Sequence, residues 1–209
     1  MPHLNHDTSP IRDALRRAIS AHHAAASDTG ALARLREPDL HPDEYDRLLV
    51  RFHALHQVLA DTVTALACPP WTRYFHLALR LSALNRDLNV RHLQASSRAQ
   101  ADATSIFCSL SAKPVAPLWA GRAYILVGSL MGARVLRGVL TSSLRINESN
   151  GGAFFCLEPE VPDGNLTASL FFDLLETTAW SQDEAAELCG TAAEFMRAHA
   201  EYWNLPLEH

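Results

Sequence analysis

Two groups of residues in this 209-residue chain have types and spacings that could do chemistry. The first is Arg16 and His23 in "LRRAISAHH". Seven residues is two turns of an α-helix, so both side chains leave the same face. A histidine ring nitrogen can ligate iron, and a guanidinium two turns away can grip an acidic group on the same ligand. The second is "GSLMGARV", residues 128–135. The chain has only nine glycines, yet Gly121, Gly128, Gly132 and Gly138 fall in one apolar helical stretch. Each costs a helix interior about 1 kcal/mol relative to alanine. Gly128 and Gly132, four apart, share a face and leave a shallow groove of bare backbone. Close helix–helix packing, a kink at Gly128-Ser129 and close approach of a flat ligand all use such a pair. Beside a histidine and an arginine on a second helix, the third describes a slot for a planar macrocycle with acidic arms.

The elements that must position these residues read as helices throughout, which makes the chain all-α. One helix begins at Ser9-Pro10 and runs to residue 27. A second follows His41-Pro42 with Leu48, Phe52, Leu55 and Leu59 as its apolar stripe, and "CPPW" ends it. A third covers "RYFHLALRLSALNRDLNV". A weaker stretch mixing loop and short helix precedes the glycine-bearing helix, roughly residues 118–144. After the loops "RINESNGG" and "EPEVPDG", two helices cover residues 167–178 and 182–202. The spacing supports one bundle over residues 9–206, preceded by a flexible segment, residues 1–8. The final "LEH", residues 207–209, reads as the remnant of an affinity tag.

Composition narrows the function classes. The formal net charge is -5, with Lys113 the single lysine. Neither a basic run nor a basic excess marks a nucleic-acid or anionic-membrane binder. Cys68, Cys108, Cys156 and Cys189 form no C-x-x-C pair and are expected to be reduced, buried thiols. With no signal-peptide pattern and no long uninterrupted apolar run, the expected address is the cytoplasm.

Taken together, "LRRAISAHH" and "AYILVGSLMGARVL" (residues 123–136) resemble the N-terminal and distal-helix motifs of the bacterial heme oxygenase family. "PDLHPDEYDRLLVRFHALHQVLADTV", "RYFHLALRLSALNRDLNV" and "AFFC" are similar to the family's intervening and following segments, in the same order. The likeness is strongest to the compact enzymes that accompany bacteriophytochromes. It implies a single helical domain that uses heme as substrate and cofactor and opens it with O2 to biliverdin, CO and iron. No G-x-G-x-x-G follows a strand, so electrons would come from outside: a reductase, a ferredoxin or ascorbate. A bacteriophytochrome is a candidate acceptor of the product.

Residue by residue, the resemblance implies that His23, with His22 as the adjacent alternative, is the proximal iron ligand. Arg16 would contact a heme propionate, and Gly128 and Gly132 would lie over the distal face. Ser129 would support a distal water network or bond back to its own helix. Tyr124 would stand near the pocket or in the core. The chain departs from the family pattern at Val127, expected on the outer side of the helix, at Met131 and at Ala133. Two rivals remain: a heme carrier or sensor without turnover, and a di-iron oxidase using His53 and His56, which lacks the Glu-x-x-His pairs such sites need.

Overall fold

In a computed structural model, residues 10–65, 71–108, 110, 113, 115–157 and 167–207 are described. Cys68, the Ser9 cap, residues 1–8 and residues 208–209 lie outside them. The described residues form helices and no strand: α1 (Pro10–Ser27), α2 (Gly30–Arg34), α3 (Pro42–Ala65), a 3-10 turn (Trp71–Phe75), α4 (Leu77–Val90), α5 (Ser97–Phe107), α6 (Ala116–Leu144), α7 (Ala168–Thr177) and α8 (Gln182–Asn204).

Local chemistry sets several starts. Ser96 accepts the Ala99 N–H at 3.1 Å to open α5, and Thr167 accepts the Leu170 N–H at 3.1 Å to open α7. Ser181 and Glu184 exchange side-chain and backbone bonds in a capping box that opens α8, satisfying two N–H groups the helix cannot. The third helix is shorter than its periodicity predicts. His76 adopts φ 52°, left-handed, so residues 71–75 form a separate 3-10 turn whose Trp71, Tyr74 and Phe75 are buried. The short α2, hidden in a polar connection, has no apolar stripe to announce it.

Helix α8 packs along α1 and α6, while α3 packs against α4 and α5. Gly121 makes the α6–α8 approach possible: a Cβ there would stand 2.6 Å from the Leu188 carbonyl oxygen and 3.1 Å from the Ala192 nitrogen. Close packing is thus the role of this glycine. Val127 is 1% exposed, in the core rather than on the outer side of α6. Helix α6 is long and apolar enough to cross a membrane by length and composition. In this fold its first half is buried. The expectation of buried thiols is not met among the described residues: Cys108 is exposed, and Cys156 and Cys189 are only half-buried.

A buried carboxylate places the segment after α6. Asp87, fully buried on α4, accepts the Ala153 N–H at 2.7 Å and the Phe154 N–H at 2.8 Å. Burial pushes its carboxyl above the usual range, against the pull of those two N–H groups. Tyr45 donates to the Gly151 carbonyl at 2.6 Å. Together they pin Phe154 and Phe155 against Phe52, with ring centroids 5.1 and 5.5 Å away. Asp87→Ala should cost about 3 kcal/mol, since it strands two buried N–H donors. A thermal melt would show this as a fall of roughly 6–12 °C, and Asp87→Asn, which keeps one acceptor, should lose less.

Candidate functional site

One stripe of α1, namely Arg12, Arg16, Ile19, Ser20, His23, Ala26 and Ser27, lines a cavity of about 610 Å³. Helix α6 lines it with Tyr124, Gly128, Ser129, Gly132 and Leu136 among others. This size falls within the range of small-molecule and cofactor sites, roughly 300–1,000 Å³. Arg16 and His23 therefore share a face and a cavity, as their two-turn spacing requires. His22, about 100° further round the helix, is not among the lining residues. Met131 and Ala133 also reach the cavity wall.

The glycines now separate by role. An ideal Cβ at Gly128 or Gly132 meets nothing within 4 Å. Protein packing does not require these two positions to be bare. They leave bare backbone along this stretch of the cavity wall. Helix α6 runs unbroken through them.

At the α1 rim, Arg16 is half exposed and lies 3.3 Å from Asp13. Tyr124 is half-buried, with its ring 6.2 Å from that of Phe172. Burial raises its phenol pKa, and neighbouring Arg16, which hydrogen-bonds it, pulls the other way. Arg12 was not singled out from the sequence. It pairs with Glu176 at 2.9 Å and sits 4.4 Å over the Phe172 ring. Its spacing of four from Arg16 is the signal that would have found it.

The other side of the cavity is apolar, with Phe52, Leu55, Phe154, Phe155, Met196 and Trp203, but holds three buried polar side chains. Arg80 of α4 is 1% exposed. It donates to the Leu126 carbonyl, to Ser129 Oγ at 3.0 Å and to His56 Nε2 at 3.4 Å. Ser129 in turn donates to the Leu126 carbonyl at 2.7 Å. Ser129 thus bonds back to its own helix, one of its two expected uses, and also meets Arg80 on the cavity wall. His56 Nδ1 donates to the Phe52 carbonyl at 2.7 Å and His199 Nδ1 to the Phe195 carbonyl at 2.8 Å. Each then keeps its Nε2 lone pair. Sequence reading passed over Arg80 and His199 as site residues and considered His56 only in the di-iron rival. A charged or polar residue on an otherwise apolar stripe is the available signal: Arg80 stands with Leu77, Leu84 and Leu88, and His56 with Phe52 and Leu59.

Burial pushes His56 down to about 3, with Arg80 adding to the effect, and His199 down to about 4. The folded protein therefore keeps both neutral well below 6.5, where the unfolded chain takes up the protons. Unfolding then gains protons as pH drops, so stability should fall from pH 6.5 towards pH 4. The slope is up to about 1.4 kcal/mol per pH unit for each histidine, with Asp87 opposing. Denaturant melts across this range should show it, and His56→Gln should flatten the slope by about half.

Among the described residues no three His, Cys, Asp or Glu side chains gather as a metal site. His53 bonds Asn85 Oδ1 at 3.0 Å while His56 turns into the core, so the pair does not converge.

No family model and no curated protein matches this chain. Solved structures do. The structure of heme oxygenase from Leptospira interrogans superposes with a TM-score of 0.71 at 19% identity, covering 93% of this chain and 98% of that one. The heme complex of heme oxygenase-1 from the cyanobacterium Synechocystis superposes with a TM-score of 0.68 at 14% identity, covering 93% and 90%. This is the heme oxygenase fold. The all-α reading holds, and the cavity described above is a feature of a heme oxygenase-like bundle. At such identities the likeness is one of backbone, and the side chains of the cavity must carry the functional argument.

Proposed function

We propose that this chain is a heme oxygenase, using O2 and electrons from an external donor to open heme to biliverdin with release of CO and ferrous iron. One observation carries the reading: His23 and Arg16 of α1 line the same cavity as the two open glycines of α6. Bound heme would supply both the redox-active iron and the ring carbon that is oxidised, so it is cofactor and substrate at once.

The chain's part is to hold and surround that ring. His23 would hold the heme iron through an imidazole nitrogen. Arg16, with Arg12 beside it, offers guanidinium groups to the carboxylate arms at the rim, and Tyr124 lies alongside. Gly128 and Gly132 would keep side chains off the bound group, so that backbone could approach it closely and restrict its orientation. The hydroxyl hydrogen of Ser129 is committed to the Leu126 carbonyl, which makes Ser129 a positioning residue for Arg80. The N–H groups of Arg80 not already committed and the Nε2 lone pair of His199 are the polar atoms that can hold water and move protons. Phe52, Phe154, Phe155 and Trp203 exclude bulk water behind them. The reductant in this reading is a reductase, a ferredoxin or ascorbate, acting in the cytoplasm. Biliverdin would go to a bacteriophytochrome or be the by-product of iron acquisition.

The test is a spectrum. Purified protein mixed with one equivalent of heme should develop a histidine-ligated heme band. Adding ascorbate or a ferredoxin system should then bleach it as biliverdin appears. A band that forms and persists under reductant would overturn the enzyme reading in favour of a heme carrier.

A further inference from the structure

Three arginines are almost wholly buried among the described residues: Arg51, Arg80 and Arg122, at 6%, 1% and 4% exposure. Taking a guanidinium out of water costs several kcal/mol unless its charge is met, and arginine does not escape by losing its proton at neutral pH. Arg51 meets this by donating to the carbonyls of Tyr202, Leu205 and Pro206 at the end of α8, the negative end of a helix dipole. It also lies 4.5 Å over the Tyr202 ring. Arg122 feels the carboxylate of Glu194 and lies 5.0 Å over Trp119.

Arg80 has neither kind of compensation. Its acceptors are a mid-helix carbonyl, a hydroxyl and a neutral imidazole. Its Nε is buried without a hydrogen-bond partner, and no carboxylate of the described residues acts on it, so burial alone lowers its pKa, to about 9. Yet Arg80 is on the wall of a cavity, next to Ser129, His56 and His199. A buried, uncompensated cation facing an enclosed space attracts an anion into that space.

We infer that the α4 side of the cavity is a binding site for a small monovalent inorganic anion or formate, built on the Arg80 guanidinium and bordered by Ser129, His56 and His199. The site is complete in the heme-free protein. It serves as the counter-charge that the fold itself omits. The chain's other exposed cations at the cavity, Arg12 and Arg16, already have the carboxylates Glu176 and Asp13 within 2.9 and 3.3 Å, so the unmet charge is at Arg80. The inference does not rest on heme turnover, and its test uses protein without heme.

Thermal melts of the protein without added heme would be run in azide, nitrate or formate, with ionic strength held constant by gluconate, a larger and strongly hydrated anion that pairs weakly with a guanidinium. The expected result is a melting temperature that rises with the logarithm of the anion concentration above the dissociation constant, by about 3 °C or more at tenfold excess. Arg80→Met should abolish the response and Arg80→Lys should retain part of it. Should Arg80→Met fail to fold, a second pair decides. Ser129→Asp puts a carboxylate where Ser129 Oγ now meets Arg80, supplying the missing charge from within. It should melt about 3 °C or more above the isosteric Ser129→Asn and lose its response to azide. The inference is overturned if azide acts no differently from gluconate on the wild type. It is equally overturned if Ser129→Asp melts at or below Ser129→Asn.

Discussion

Gly132→Leu is expected to weaken heme binding by about 100-fold or more, with turnover lost in proportion, while leaving the heme-free protein folded and slightly more stable. The two effects have separate causes. A Cβ at position 132 meets nothing within 4 Å, so the new side chain starts into open space, and replacing glycine in a helix gains up to about 1 kcal/mol. The same side chain projects into the cradle where a flat ring must lie, and a misfit of about an ångström at such a site costs on the order of 100-fold. Two neighbours serve as controls. Gly138→Ala, also open but not on the cavity wall, should stabilise by a similar amount and leave heme titration unchanged. Gly121→Ala should destabilise, because its Cβ would press on the Leu188 carbonyl at 2.6 Å. Heme titration and thermal melts on the same three variants would check this. Undiminished heme binding by Gly132→Leu would show that the open glycines do not face the ligand.

His23→Ala should abolish the histidine-ligated heme spectrum and cut biliverdin formation by about 100-fold, without changing helicity. His23 is exposed on α1 and makes no core contact that its loss would disrupt. Added imidazole should restore part of the band, because a small ligand can occupy the space the side chain leaves. His22→Ala, whose side chain is not on the cavity wall, should behave as wild type. The reverse pattern, with His22→Ala spectrally silent and His23→Ala normal, would transfer the axial role to His22.

Much of this arrangement was legible in the sequence because helices convert spacing into direction. A separation of seven from Arg16 to His23, and of four from Gly128 to Gly132, sets a shared face before any tertiary contact is known. The same rule located α1, α3, α6, α7 and α8 to within a few residues. It failed at residues 73–76, where a left-handed His76 separates a 3-10 turn from α4. A single backbone angle there is chosen by the burial of Trp71, Tyr74 and Phe75, which periodicity does not register. It failed also at Val127, because one helix face cannot be told from another until a neighbour is packed against it.

What the sequence by itself determined is therefore the long helices, the all-α class and which residues share a helix face. The tertiary structure alone decided which glycines pack and which stay open, since Gly121 and Gly132 differ only in what stands opposite them. It alone brought Arg80, His56 and His199, from three different helices, to one cavity wall. It also turned Asp87 into the anchor of the segment that carries Phe154 and Phe155. Local spacing is covalent geometry and is written in the chain. Whether a buried charge finds a partner depends on long-range packing, and for Arg80 that packing supplies no carboxylate.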